Sequence, residues 1–453
     1  MDMKNKKTID LTTGPLLGKI VLFTIPILLT GILQLLFNAV DMVVVGRFCG
    51  STSLAAVGST GSITNLVVCL FMGLSVSSGI MISHAVGGRQ KKEIDRVLHT
   101  STLSSFLIGA VLGVIGFIIT PWLLKLTNTP DDVIGKATTY MRIIFIGMPV
   151  NMLFNFCASM LRSTGDSIRP LIYLVIAGIT NVVLNVILVT IVNLDVAGVA
   201  IATIVSQAIS AFLIVYRLAK GTEHLKLKRY KLHISMPHLK KLMSIGIPAG
   251  VQSMMFSISN TIIQSSINSF GTAAIAGNSA GSSIDGFLYM SMNSFYQAAI
   301  TAAGQNMGAH RYGRIARSAG VCLIAAAFLG FALGLFSKIF APELLSIYTT
   351  DAEAIEVGIM RLNIMGSFYL LCGLMEVLVG IIRGMGHSFT TMIVSIIGVC
   401  GIRIVWIYTI FQKIHTLECL YFSYIVSWAF VIIVDAIMLA VYLQKLKRTP
   451  IQQ

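Results

Sequence analysis

Charged side chains are scarce in this sequence. Only 11% of its 453 residues are Asp, Glu, Lys or Arg, whereas 55% are hydrophobic and the mean hydropathy is +0.85. A soluble domain carries about 25% charged residues, so this chain has too few to cover a water-facing surface. The composition excludes an ordinary soluble protein and predicts a chain that lies almost wholly within a lipid bilayer.

Paired cysteines and catalytic motifs are also missing. None of the seven cysteines forms a CxxC pair, and most lie in apolar segments, so we expect reduced thiols rather than disulfides or a zinc site. The sequence contains no HExxH or GxxxxGKS/T motif. We therefore expect neither an enzyme nor a cofactor, and we expect an ion gradient to supply any energy for transport.

Twelve apolar segments of spanning length run along the chain. A membrane helix needs about 20 mostly apolar residues. We expect the first segment to be retained as a span, because no small-residue cleavage motif accompanies the basic N-terminus. The segments cover roughly 16–45, 54–83, 97–124, 133–160, 168–193, 196–219, 240–268, 275–304, 316–341, 354–382, 389–412 and 418–444.

Positive residues cluster on alternate connections between these segments. Most of the 33 Lys and Arg residues fall in the two tails and in the connections after the even-numbered segments. Connections rich in Lys and Arg stay in the cytoplasm, so both termini are predicted to be cytoplasmic. The same pattern explains the net charge of +15 as a set of residues that orient the chain in the membrane, and we expect no nucleic-acid partner.

The chain repeats itself at an offset of 221 residues. HAVGGRQ, with Gly87, recurs as QNMGAHR, with Gly308, and LRSTGDS, with Arg162, recurs as IRGMGHS, with Arg383. Each half has an even number of segments, so the repeats are parallel, as in transporters that expose a midplane site to each side in turn. The predicted domains are an N-lobe at 1–219, a cytoplasmic linker at 220–239 and a C-lobe at 240–453.

Several polar side chains of the first half lie inside apolar segments. Asp41 is the leading functional candidate, because an ionised carboxylate in hydrocarbon is costly and must face a cavity or partners. Helical spacing places Gln34 and Asn38 on the same face as Asp41. Hydrogen bonding between helices is the alternative role for the amides and hydroxyls. Helical spacing likewise pairs Asn181 with Asn185 and Thr203 with Gln207.

The second half carries a polar stripe and two isolated charges. Glu376 and Arg403 lie near mid-membrane in neighbouring segments, and buried opposite charges usually pair. We therefore predict a Glu376–Arg403 ion pair, with a structural and a substrate-binding role both open. The stripe favours a water-filled cavity wall over a packing seam, which prefers small residues. It consists of Ser253, Ser257, Asn260, Gln264 and Asn268 on one face of the seventh segment.

The order and spacing of several motifs carry a family resemblance over about residues 10–445. Pro26 is followed by Asp41, Gly46 and Arg47, and then by LAAVG at 54–58. Together with the repeat, the chain resembles the multidrug and toxic compound extrusion (MATE) family of cation-coupled antiporters, in its prokaryotic DNA-damage-inducible-type branch. The later motifs are GGRQKKE at 87–93, LRSTGDSIRP at 161–170 and AGVAIAT at 197–203.

The resemblance implies an all-α integral membrane fold, with twelve transmembrane helices in two six-helix parallel repeats that form a V-shaped central cavity. It implies a secondary active antiporter that exports amphipathic organic cations or other xenobiotics in exchange for H⁺ or Na⁺ by alternating access. We expect a monomer in the plasma membrane of a prokaryote. A lipid-linked oligosaccharide flippase of the same superfold is the alternative, although only Arg403 is clearly a mid-membrane cation that could hold pyrophosphate.

The resemblance also implies an ion-coupling site. In the resembled family the fifth and sixth spans supply an Asn, an Asp and a Thr; Asn181 and Thr203 match, whereas Asn185 stands where many members have Asp. With Asp41 as the only anion, we expect one H⁺ or one Na⁺ at Asp41, Asn181, Asn185 and Thr203. Pro26 is a candidate hinge, against the alternative of a static kink. The candidate cavity residues are Gln34, Asn38, Gln207, Ser257, Asn260, Gln264, Glu376 and Arg403.

Overall fold

The structure is a computed structural model that describes residues 8–127, 129–222, 224–228 and 232–448, apart from the side chain of Ser51. Some of the positive residues behind the topology prediction fall outside this part of the chain. The orientation of the termini therefore stays a prediction. The positive residues outside the described part are Lys4, Lys6, Lys7, Arg229 and Lys231.

The first half of the described chain contains seven α-helices, which follow the predicted apolar segments in order. One predicted segment, 133–160, is broken into α4 and α5, which meet at a bend of 47°. Pro149 lies in the first turn of α5 and lacks the N–H that would continue the α4 ladder. The helices are α1 (Leu16–Phe48), α2 (Ser51–Gly87), α3 (Lys91–Leu126), α4 (Asp131–Ile146), α5 (Met148–Ser163), α6 (Ile168–Val186, extended by a π-helical turn at Ile187–Ile191) and α7 (Asp195–Lys220).

The second half contains eight α-helices. The eleventh predicted segment is a single stretch interrupted by a π-helical turn at Ile396–Gly401, which separates α13 from α14. The helices are α8 (Met236–Ile267, followed by a 3₁₀ turn at Asn268–Phe270), α9 (Thr272–Gly308), α10 (Tyr312–Ile339), α11 (Ala341–Ser346), α12 (Ala352–Gly384), α13 (Ser388–Ser395), α14 (Ile402–Lys413) and α15 (Leu417–Arg448).

Helices occupy all twelve predicted spanning positions, and the prediction of an all-α membrane fold is confirmed. Among the described residues, ten helical stretches are long and apolar enough to cross a membrane, and the bent α4–α5 pair makes an eleventh. The remaining position is α9, which has 37 residues but is richer in Gly, Ser and Asn. Much of α9 is buried against protein, so it does not need a surface suited to lipid. The V-shaped cavity stays a prediction.

Two compact units divide the described chain, one of residues 8–9 and 32–250, the other of residues 10–31 and 251–448. Of the three boundaries, one precedes α1, and the other two fall inside α1 and α8, so the N-terminal part of each of these helices belongs to a different unit from the rest. The described part of the 220–239 connection packs with the first unit, where the Lys228 amide donates to Nε2 of His99 at 3.0 Å. The lobes and linker drawn from the repeat stay a prediction.

Two glycines allow α10 and α12 to touch backbone to backbone in the second unit. A Cβ on Gly334 would lie 2.0 Å from the carbonyl oxygen of Gly366, and a Cβ on Gly366 would lie 2.8 Å from that of Gly334. Small residues permit such close crossings of membrane helices. The crossing fixes α12, the helix that carries Arg361 and Glu376.

Candidate functional site

Asp41 lies in a cluster of polar side chains in the first unit. Its Oδ1 accepts a hydrogen bond from Nδ2 of Asn185 at 2.5 Å, and its Oδ2 accepts from the Thr203 hydroxyl at 3.4 Å. Asn181 completes the cluster, since it donates to Thr203 Oγ1 at 3.4 Å and accepts from Asn185 at 3.2 Å. Helices α1, α6 and α7 thus bring together the four residues proposed from the sequence for ion coupling, whose role stays a prediction.

A glycine on α6 sets how closely α1 approaches the cluster. The ring of Phe37 lies against Gly178, where an added Cβ would be 1.8 Å from the ring Cζ. Asp41 is one helical turn beyond Phe37, and Asn181 and Asn185 follow Gly178 at three and seven residues on α6. The contact between Phe37 and Gly178 therefore brings the carboxylate within reach of the two amides.

The oxygen atoms of this cluster suit a small hard cation. Asn185 is fully buried, and its Oδ1 has no hydrogen-bond donor among the described residues, although its Nδ2 donates twice. A buried acceptor without a donor is costly, and a bound cation would satisfy it. Carboxylate, amide and hydroxyl oxygens are the ligands that hard cations prefer. The residues present fit a sodium ion as well as a proton on Asp41.

The other candidates of the first half surround this cluster less tightly. Gln34 and Gln207 are half-buried and Asn38 is exposed, and their side chains form no hydrogen bond within the described part of the chain. Unbonded amides of this kind suit a wet surface rather than a packing seam. Pro26 is buried inside α1, which continues through it as one helix. Its role as a hinge stays a prediction.

The second unit contains a cavity of about 290 Å³ with polar and aromatic walls. From the predicted stripe, Asn260 and Gln264 line it, whereas Ser257 does not. The oxygen of the Gln264 side chain accepts from Asn278 at 2.6 Å, and its amide donates to Asn268 at 2.9 Å. The stripe is therefore partly a cavity wall and partly a hydrogen-bonded seam between α8 and α9.

Glu376 and Arg403 both line this cavity, but the predicted ion pair between them is wrong. The Arg403 guanidinium donates to Ser427 Oγ at 3.1 Å and to Asn260 Oδ1 at 3.0 Å. Glu376 instead accepts from the Tyr289 hydroxyl at 3.5 Å. Neutral partners on α8 and α15 hold the guanidinium, and the two charges lie on separate parts of the wall.

The second unit contains an ion pair that was not predicted from the sequence. Arg361 donates to Oδ2 of Asp285 from Nε at 2.8 Å and from Nη2 at 2.7 Å, and to Oδ1 of Asn278 at 2.6 Å. Both charges lie inside apolar segments, so the rule that buried charges pair could have joined them. It was applied to Glu376 and Arg403 instead, because helical spacing does not reveal which helices are neighbours.

Two further charged side chains of the second unit are buried. Arg383 of α12 is buried and donates to the Tyr296 hydroxyl and to Oε1 of Gln252. Asp435 of α15 is fully buried, and neither of its carboxylate oxygens has a hydrogen-bond partner among the described residues. Asp435 therefore belongs to a charged interior that contains both signs.

Comparison with known sequences places these features in a family. The sequence model of the MatE family matches residues 26–187 and, a second time, residues 248–409. A probable multidrug resistance protein of Bacillus subtilis, YoeA, is 29% identical over 391 residues, which are 84% of this chain and 84% of YoeA. A second such protein of Bacillus subtilis, YpnP, is 28% identical over 403 residues, covering 88% of this chain and 89% of YpnP.

Comparison with solved structures agrees at the level of the fold. An outward-facing multidrug resistance MATE family transporter of the MOP superfamily superposes with a TM-score of 0.91 at 22% identity, covering 99% of this chain and 100% of that one. The two successive matches of one family model agree with the internal repeat. Since those matches together take in more than half of its residues, this chain belongs to the MatE family of membrane transporters.

Proposed function

We propose that this protein exports amphipathic organic cations or other xenobiotics from a prokaryotic cell, in exchange for H⁺ or Na⁺, by alternating access. It would act as a monomer in the plasma membrane with both termini in the cytoplasm. The multidrug resistance proteins among its bacterial relatives support the export of varied small molecules.

The Asp41 cluster is the observation that carries the coupling part of this proposal. A carboxylate inside a membrane is costly unless a cation or proton neutralises it. Here the carboxylate accepts hydrogen bonds from Asn185 and Thr203 on two other helices of its unit. Occupancy by a cation therefore changes contacts on three helices at once. Such a change is the kind of differential interaction that shifts a conformational equilibrium.

The oligosaccharide flippase is supported less well. A pyrophosphate group calls for several free cations in one cavity. In the second unit, Arg361 is neutralised by Asp285, and both Arg383 and Arg403 are held by neutral side chains. Only Arg403 among these three lines the cavity without a carboxylate partner in the described part of the chain.

Transport by purified protein in liposomes tests the proposal and identifies the ion. Ethidium movement is measured while a Na⁺ gradient or a pH gradient is imposed in turn. One of the two gradients is expected to drive transport with one ion per cycle, because the cluster contains a single carboxylate. One pH unit supplies about 1.4 kcal/mol per proton and sustains about a tenfold ethidium ratio. A squared dependence would indicate two ions, and no response to either gradient would rule out the coupling.

Substitution of Gly178 by Ala tests whether the packing of α1 on α6 positions Asp41. The new methyl group would overlap the Phe37 ring, so α1 must move away and Asp41 must lose its contact with Asn185. Dye efflux from cells is expected to fall strongly although every residue of the cluster is intact. Gly61→Ala is the matched control, because a Cβ there meets no atom within 4 Å. Equal efflux by the two variants would show that the Phe37–Gly178 contact does not position Asp41.

A further inference from the structure

Arg403 is a buried cation that keeps free hydrogen-bond donors in a cavity. Its side chain is 4% exposed, lines the cavity of the second unit and lies 4.0 Å above the Tyr424 ring. Of the five N–H groups of a guanidinium, one bonds Ser427 and one bonds Asn260. Nη2 forms no hydrogen bond with any described residue.

The charge of Arg403 is not neutralised, in contrast to that of Arg361 in the same unit. Arg361 forms an ion pair with Asp285 at 2.7 Å. Arg383 is bonded to the neutral side chains of Tyr296 and Gln252 and does not line the cavity.

No carboxylate oxygen of the described chain lies within 4.0 Å of the Arg403 guanidinium. A buried cation is costly without an anion. The contact with Tyr424 and the two neutral hydrogen bonds reduce this cost but leave the positive charge in place.

A backbone irregularity places this arginine in the cavity wall. The π-helical turn Ile396–Gly401 ends directly before α14, two residues from Arg403. A π turn inserts one residue, which rotates the following helix by about 100° relative to a regular one. Gly398 within the turn packs on α15, where a Cβ would lie 2.4 Å from Cγ2 of Val431. Such turns are frequent at functional sites.

The rest of the wall contains Glu376, the Asp285–Arg361 ion pair and an aromatic part, and the aromatic part favours a flat organic molecule. Five aromatic side chains surround this space, and its volume of about 290 Å³ is just below the range of about 300–1,000 Å³ for ligand sites. A body of two fused rings fits this size, and a planar carboxylate matches the free edge of a guanidinium. The aromatic residues of the wall are Phe256, Tyr289, Tyr369, Tyr424 and Trp428.

We propose that this cavity is a binding site for small aromatic anions, with Arg403 as the residue that holds the anionic group and the aromatic wall as the platform for the rings. The site would extend the substrates from organic cations to aromatic carboxylates. This extension rests on the proposed export function, whereas binding itself does not.

Equilibrium dialysis against the full chain in lipid nanodiscs tests binding, with empty nanodiscs subtracted. The probes are 2-naphthoate, the neutral 2-naphthamide and the cationic 2-naphthylmethylammonium, at neutral pH. The wild-type protein is expected to bind naphthoate most tightly. Arg403→Gln should weaken naphthoate binding by about 10- to 100-fold, the usual effect of losing hydrogen bonds from a charged donor. The same variant should change naphthamide binding little.

Two further variants keep the test decisive. Lys413→Gln removes an exposed charge from the end of the same helix and should leave naphthoate binding unchanged. Arg403→Lys keeps the charge but loses the planar fork, so it should bind naphthoate with intermediate affinity even if the Gln variant folds poorly. Equal binding of the three probes, or naphthoate binding that survives Arg403→Gln, would overturn the proposal. Ethidium transport that persists in that case would show that the export function stands without this site.

Discussion

Replacement of Asp41 by Asn is expected to reduce ethidium efflux from expressing cells to the level of cells that lack the protein. The amide has the shape of the carboxylate, but it is neutral, so it neither takes up a proton near neutral pH nor supplies the negative charge that holds a cation. The single oxygen of the new amide can still accept from Asn185, and its NH2 can donate to the Thr203 hydroxyl oxygen in the place of Oδ2, so the fold should survive with a change of about 1 kcal/mol or less. Efflux is followed by dye fluorescence, and folded protein by size-exclusion chromatography of the solubilised membrane fraction.

Asp195→Asn is the matched control for this experiment. Asp195 lies at the start of α7, about one-third exposed, and pairs with Lys136 at 2.6 Å. An exposed pair of this kind contributes about 0–1 kcal/mol, so the control should retain both efflux and folded protein. Wild-type efflux by Asp41→Asn would remove Asp41 from the mechanism, whatever the coupling ion is.

Removal of Arg361 is expected to cause the largest loss of stability. In Arg361→Met the carboxylate of Asp285 remains buried without its cation, which costs about 3–5 kcal/mol. The Asn278 oxygen loses one of its two donors in the same change and keeps the Tyr421 hydroxyl. The free energy of unfolding is measured by SDS titration of the protein in mixed micelles.

The double variant Arg361→Met with Asp285→Leu distinguishes the effect of the ion pair from the effect of packing around it. Replacing both charges by apolar side chains of similar size is often neutral or stabilising, so the double variant should regain most of the lost stability. Lys136→Met, which breaks the half-exposed pair with Asp195, should cost about 1 kcal/mol at most. A double variant as unstable as Arg361→Met would mean that the arginine acts through packing on Tyr421 instead.

The Asp41 cluster shows how far local sequence reasoning reaches. Asn181 and Asn185 share a face because they are four residues apart, and their neighbourhood with Asp41 was implied by a family pattern rather than by spacing. The contact of Phe37 with Gly178 brings Asp41 close to these amides, and it is possible only because glycine has no side chain on the face that meets α1. Nothing in the periodicity of either helix indicates that approach.

The charges of the second half show where such reasoning stops. Glu376 and Arg403 were paired because both looked isolated, whereas Arg361, with Asp285 on a neighbouring helix, forms the ion pair. A π-helical turn ends just before Arg403 and rotates it relative to a regular helix. The sequence of the eleventh segment carries no recognisable signal for that turn.

By itself the sequence determined that the chain lies in lipid, where its helices are and that it is repeated. Apolar length, scarce charge and recurring motifs can be recognised along the chain without knowing which distant residues touch. Only the tertiary structure decided which buried charges meet, which buried arginine faces a cavity with a free donor and where that cavity lies. Those outcomes depend on the rotation and the closeness of helices that are distant in sequence. Small side chains, a proline bend and a single inserted residue set both quantities.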